Sequence, residues 1–285
     1  MINQNYKLKS NIIMPKLGLG TWQVGRYKNK FNDEVKSIKY ALENGYKLID
    51  TAEMYDDAEI VLSEAFKNSS TKREDIFIVS KIYPHNANAN NFFTSLENSL
   101  QRINTNYLDM YLLHWRGGAN IKEVVALMEE AKKKCLIKSW GVSNFDIDDM
   151  IELKNIEYGN RCECNQVLYH LHSRGIDFSL SEYLEKENIA LMTYCPLAQN
   201  GDLGYKLLEN KVLKKIAKKH NATSSQIALS FIMSFENRIV IPKSTNKNHI
   251  LENKKSENII LDNEDIEEIN KEFPIPNIKT HLDIV

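Results

Sequence analysis

Four side chains of the kinds that move protons stand at the ends of apolar runs. Asp50 and Tyr55 lie in LIDTAEMY (48–55), Lys81 ends IFIVSK (76–81) and His114 closes LDMYLLH (108–114). A phenol with a pKa of about 10 is a poor acid at neutral pH unless a nearby cation stabilises its phenolate. Lys81 is such a cation, and Asp50 would keep the ammonium charged and in place. His114 would hydrogen-bond a substrate oxygen and share in the proton relay. Each residue alone has a plainer role: a helix cap for Asp50, a core phenol for Tyr55, a surface charge for Lys81, a satisfied core imidazole for His114. Their recurrence at three consecutive run ends points instead to one site.

The runs must belong to elements that bring them together. Eight strand-like segments, KLGLG (16–20), KLID (47–50), IFIVSK, LDMYLLH, IKSWGVSN (137–144), ECNQVLY (163–169), IALMTY (189–194) and RIVIPK (238–243), alternate with helical periodicity. Residues 58–66 show that periodicity, with Ala58, Val61, Leu62, Ala65 and Phe66 on one face. Strands buried on both faces and alternating with helices predict an α/β fold, a closed (β/α)8 TIM barrel. An open doubly wound sheet is the second arrangement compatible with the alternation. YKLKSNIIM (6–14) falls outside the repeat and reads as a β-hairpin closing the barrel bottom. Without a linker-like stretch, residues 1–285 read as a single domain. In such a barrel, side chains at the C-terminal strand ends share one mouth.

Composition narrows the partners. Lys and Arg number 37 against 38 Asp and Glu, a net charge of −1, so bulk charge favours neither nucleic acid nor a membrane surface. A small molecule is the expected partner. No apolar signal-peptide core opens the chain and no window reaches the roughly 18 apolar residues of a membrane helix, which predicts a cytoplasmic protein. Cys135, Cys162, Cys164 and Cys195 make no C-x-x-C pair, and no metal site is expected. With no exposed apolar heptad legible, a monomer is the default.

LIDTAEMY, VSK, LDMYLLHW, GVSNF, NQVLYH, YCPLA and IPKS, in that order, resemble the signature of the aldo-keto reductase family. The match runs from MPKLGLGTW to IPKSTNKNHILEN, nearly the whole chain. The resemblance implies an eight-stranded barrel that binds a nicotinamide dinucleotide and reduces carbonyls. It implies Tyr55 as proton donor, Asp50 and Lys81 as its tuning pair and His114 as the residue orienting the carbonyl. NQVLYHLHSRGIDF, PLAQ and the tail KTHLDIV resemble a bacterial branch of methylglyoxal and small-aldehyde reductases.

The cofactor residues can also be argued physically. Gly18 and Gly20 of KLGLGTWQVG do not make G-x-G-x-x-G, and no amphipathic helix follows directly, so a Rossmann fingerprint is absent. Ser143, Asn144 and Gln166 offer a hydroxyl and amides suited to a nicotinamide carboxamide, and Tyr194 a flat face for its ring. Lys243 and Ser244, just before a helix N-terminus, suit a ribose 2′-phosphate, which favours NADPH while leaving NADH possible. The resemblance adds Thr21, Trp22, Pro196 and Leu197 to the cofactor set. It places Glu252 and Asn253 at the adenine end and His249 where many members carry arginine. Trp22 and Trp115 would line the pocket for a small carbonyl substrate.

Three departures from the family stand near the mouth. Asp56, Asp57 and Ala58 replace its usual Gly-Asn before a glutamate, and Ser63 its usual helix glycine. Arg116, followed by Gly117 and Gly118, replaces its usual proline, giving a solvated arginine or a cation that favours polar or anionic carbonyls. Two other functions remain open: a cofactor-binding, redox-sensing barrel without significant turnover, and an isomerase or hydrolase using Asp50 and His114 alone.

Overall fold

The computed structural model describes residues 4–198 and 206–284. Gln199 of PLAQ and the final Val285 lie outside them. Among these residues ten strands are present: β1 (Asn5–Lys7), β2 (Ile13–Pro15), β3 (Leu19–Gly20), β4 (Leu48–Asp50), β5 (Phe77–Ile82), β6 (Leu108–Leu113), β7 (Ile137–Ser143), β8 (Cys164–Leu168), β9 (Ala190–Tyr194) and β10 (Arg238–Val240). β3 to β10 pair in parallel in sequence order. Parallel bridges Leu17 to Val240 and Gly20 to Lys243 join the last strand to the first and close the barrel. The open-sheet alternative is thereby excluded.

Helices α1 (Phe31–Glu43), α2 (Ala58–Lys67), α3 (Phe92–Ile103), α4 (Ile121–Lys133), α5 (Ile147–Lys154) and α6 (Leu180–Lys186) follow successive strands β3 to β8. Beyond β9 come α7 (Lys211–Lys219) and α8 (Ser224–Met233), and beyond β10 come α9 (Lys247–Lys255) and α10 (Asn263–Glu272). Local sequence sets several starts. Asp146 with Asp149, Thr223 with Gln226 and Asp262 with Asp265 form reciprocal caps at the heads of α5, α8 and α10. Among the described residues no helix is long and apolar enough to cross a membrane.

Two apolar clusters divide the interior. The larger fills the layer between strands and helices. The smaller lies within the barrel and contains Leu48, Phe77, Val79, Met110, Leu112, Cys164, Ala190, Met192, Ile239 and Ile241, together with Tyr6, Leu8 and Met14. Those last three belong to the antiparallel hairpin of β1 and β2, whose register pairs Tyr6 with Met14. The hairpin therefore plugs the bottom of the barrel, as expected. The strand alternation of period two carries the inward face on to the mouth: Leu48 leads to Asp50, Val79 to Lys81, Leu112 to His114, Cys164 to Gln166 and Met192 to Tyr194. Gly18 has a packing role in this wall, since a Cβ there would stand 2.6 Å from the Leu48 side chain.

Candidate active site

Lys81 is fully buried at the end of β5, and its ammonium has three acceptors. It donates to Asp50 Oδ2 at 2.7 Å, to the Thr51 carbonyl at 2.8 Å and to the Tyr55 hydroxyl at 3.2 Å. An ammonium has three N–H donors, so this set is complete. The other Asp50 oxygen accepts from the Gln166 amide at 2.7 Å. Thr21 fixes the end of β4 by donating its hydroxyl to the Asp50 carbonyl at 2.9 Å.

Burial raises the Asp50 carboxyl, while Lys81 and Gln166 oppose that rise. Burial pulls the Lys81 ammonium down, and Asp50 and Tyr55 more than reverse it. With donors on both Asp50 oxygens, the ammonium–carboxylate pair is the form the geometry supports at neutral pH. For Tyr55, burial raises the phenol and Lys81 opposes it without reversing the direction. Lys81 thus acts on the phenol in the expected direction, but burial outweighs it and Tyr55 holds its proton. Because its oxygen accepts from Lys81, that proton is free to point elsewhere.

Tyr55 sits on the turn between β4 and α2. Glu53, one residue from the middle of this turn, accepts from the Tyr83 backbone N–H and from the Asn86 amide at 3.2 Å, fastening it to the end of β5. Glu53 was not among the expected site residues, although it stands inside LIDTAEMY. Asp56 has a φ of 38°, in the left-handed region where the family's usual glycine would rest without strain and where aspartate is one of the better tolerated alternatives.

The His114 ring lies 5.5 Å from that of Tyr55 at 72°. Burial, reinforced by Lys81, lowers its pKa to about 2. It is neutral at ordinary pH, so any hydrogen bond it gives a substrate oxygen comes from a neutral imidazole. Its Nδ1 is buried without a partner.

Beside these four, Ser143 donates to the Gln166 carbonyl at 2.8 Å, and Asn144 donates to the His114 carbonyl at 3.1 Å. Tyr194 donates its hydroxyl to Asn144 Oδ1 at 2.9 Å. The structure thus brings Asp50, Tyr55, Lys81, His114, Ser143, Asn144, Gln166 and Tyr194 into one network. Gln166 serves the acid directly, a task its sequence position did not reveal. Pro196 is buried and Leu197 half-buried on the turn after β9.

A separate cluster gathers on β10 and α9. Lys243 and His249 are exposed, while Ser244 accepts from the Asn246 backbone N–H at 3.1 Å. Asn246 caps α9 by accepting from the N–H groups of Asn248 and His249. Glu252 accepts from the Thr223 and Ser225 hydroxyls at 2.7 and 2.8 Å, and Asn253 is buried.

Trp22 is 43% exposed, so it stands at the rim rather than in the core. Trp115 is half-buried, with its ring 5.1 Å from His114 and 4.9 Å from Tyr83. Arg116 is not merely solvated: it is ion-paired while 38% exposed. It donates to Asp149 at 2.6 Å and to both Glu152 oxygens at 2.7 and 2.9 Å.

The aldo/keto reductase family model matches residues 16–272. The chain is 40% identical over 281 residues to methylglyoxal reductase YeaE of Escherichia coli strain K12, covering 98% of each protein. It is 34% identical over 269 residues to glyoxal reductase of Bacillus subtilis strain 168, covering 94% of this chain and 92% of that one. Among solved structures, an aldo/keto reductase from Klebsiella pneumoniae in complex with NADP and acetate matches with a TM-score of 0.94 at 36% identity, covering 99% of both chains. A structure from the same organism in complex with NADPH matches equally well over 100% of both.

Proposed function

Because the chain belongs to the aldo/keto reductase family, we propose that this oxidoreductase uses NADPH to reduce small, uncharged carbonyl compounds of the methylglyoxal class, with Tyr55 as proton donor. The observation that carries this reading is the direction of the hydrogen bond between Lys81 and Tyr55. The ammonium donates, the phenol oxygen accepts at 3.2 Å, and the phenolic hydrogen remains for a substrate oxygen.

The donor set fits a nicotinamide dinucleotide phosphate. Ser143, Asn144, Gln166 and the half-buried Tyr194 would hold the nicotinamide end, and Lys243 and Ser244, before α9, the 2′-phosphate. The solved relatives in complex with NADP and NADPH support the same cofactor. When bound, the reduced nicotinamide supplies hydride to the carbonyl carbon.

The chain's own residues handle the oxygen. Tyr55 transfers its proton as negative charge develops there, and Lys81 compensates the phenolate left behind. Asp50 keeps that ammonium in register. An orphaned lone pair is cheaper than an orphaned N–H, so the partnerless, buried Nδ1 of His114 places its proton on Nε2, where it can donate to the carbonyl. Methylglyoxal and glyoxal reductases among the relatives support a small substrate. The three bonds that engage Arg116 support an uncharged one.

The test is the loss of NADPH absorbance with methylglyoxal, glyceraldehyde or an aromatic aldehyde, repeated with NADH. Tyr55→Phe should keep NADPH binding and lose about 10²- to 10⁴-fold in kcat, the usual weight of a placed general acid. Wild-type rates in this variant would remove Tyr55 from the mechanism. NADPH binding without turnover of any aldehyde would favour the sensing barrel.

A further inference from the structure

The loop after β6 carries Trp115, Arg116, Gly117 and Gly118 in succession. Two glycines should leave such a loop loose. Here it turns tightly: Ala119 donates to the Arg116 carbonyl at 3.1 Å, and Gly117 has a φ of 50°. A Cβ on Gly117 would stand 3.0 Å from Pro84 and 3.3 Å from the Trp115 indole nitrogen. The turn therefore lies over the segment holding Tyr83 and Pro84, with Trp115 edge-on to Tyr83 and His114.

What ties this turn to the rest of the barrel is ionic. The Arg116 guanidinium meets Glu152 through two parallel bonds and Asp149 through a third, all to α5. A forked arginine–carboxylate contact fixes direction as well as distance, which a lysine cannot do. Asp149 is itself immobilised, since its other oxygen accepts from the Asp146 N–H in the cap of α5 at 3.0 Å. Lys279 of the tail is held by different carboxylates of that segment, Asp146 and Asp148, so the Arg116 contact is separable from it.

We propose that Arg116 is a positioning residue for the carbonyl side of the site: its fork on α5 holds the turn that sets Trp115 against His114. The kinetic consequence rests on the reductase reading above; the packing of Trp115 does not. Arg116 touches neither Tyr55 nor the residues assigned to the cofactor, so it should govern carbonyl affinity and leave proton transfer and NADPH binding alone. The pair is partly exposed and of moderate strength, and salt should weaken it.

Arg116→Ala and Arg116→Lys should each raise KM for methylglyoxal by about 1.5- to 5-fold, the range a contact of this kind supports, with kcat and NADPH affinity unchanged. Arg116→Glu and Glu152→Arg should each do the same, and the double variant should recover the greater part of the loss. A readout independent of turnover is the near-UV circular dichroism of Trp115, taken as the difference from the same protein carrying Trp115→Phe. It should change in Arg116→Glu and return in the double variant.

Folded Arg116→Ala and Arg116→Glu proteins with unchanged KM and unchanged Trp115 signal would overturn the proposal. A loss that the exchanged pair does not recover would do so as well, by exposing a general structural effect. If wild type turns over no carbonyl, the reductase reading fails, and the Trp115 signal alone decides the positioning role.

Discussion

Gln166 on β8 reaches across the barrel and donates its amide to Asp50 on β4 at 2.7 Å, opposite the oxygen that Lys81 holds. A buried carboxylate stripped of one donor is left with the desolvation cost of an unpaired oxygen. Gln166→Met keeps most of the volume and removes the donor. It should cost about 1–3 kcal/mol in urea unfolding and weaken NADPH binding together. Full stability in this variant would mean that Lys81 alone compensates Asp50.

The Asp50–Lys81 pair has side chains 3% and 0% exposed, so its members should be worth more together than their separate removal suggests. Lys81→Met leaves a buried carboxylate without its cation and should destabilise by about 3–5 kcal/mol. Adding Asp50→Asn to it should restore much of that stability while turnover stays lost. The result separates folding from chemistry, because in the proposed mechanism Lys81 compensates the Tyr55 phenolate. Restored turnover in the double variant would argue that Tyr55 needs no cation.

His114 gives the pH dependence of stability a sign. Its pKa is about 2 in the folded protein against 6.5 for an ordinary histidine, so below pH 6.5 the unfolded chain binds the extra proton. Its contribution is full above that pH and lost as pH falls, with a slope approaching about 1.4 kcal/mol per unit. Burial lowers His170 to about 4, adding a second loss over the pH range from 6.5 down to 4. His114→Gln should therefore lose less stability than wild type between about pH 7 and about pH 4.5, measured by urea midpoint. Equal losses would mean that His114 is not held neutral.

The barrel was legible because eight short, largely apolar segments alternate with helical periodicity, and parallel strands covered on both faces read that way. The clustering of the candidate site was legible for a related reason: Asp50, Lys81 and His114 each extend the inward parity of a strand by one polar position. Other relationships had no sequence signal. The bond from Gln166 to Asp50 crosses the barrel between strands 116 residues apart, and no spacing rule reports on it. Arg116 looked available because its carboxylates lie 33 and 36 residues onward, on a different element. The direction of the Tyr55 shift depends on burial outweighing one nearby cation, a balance that only coordinates provide.

Lys243 offers the sharpest separation of the two nicotinamide cofactors. It follows β10, bridges to Gly20 across the barrel seam and keeps its side chain partly in solvent. Partial burial lowers its pKa; Glu34 opposes this and Lys30 reinforces it. Its charge stands just before α9, whose first amides are already capped by Asn246 and whose first residue, Lys247, is a second cation. His249 supplies no permanent guanidinium fork beside it. Lys243→Ala should weaken NADPH by about tenfold, a loss of one charge-assisted contact, and NADH far less. The salt dependence of NADPH affinity should flatten in the variant, since the lost contact is a screened one. Equal weakening of both cofactors, measured by quenching of protein fluorescence, would place Lys243 on a group the two share rather than on the 2′-phosphate.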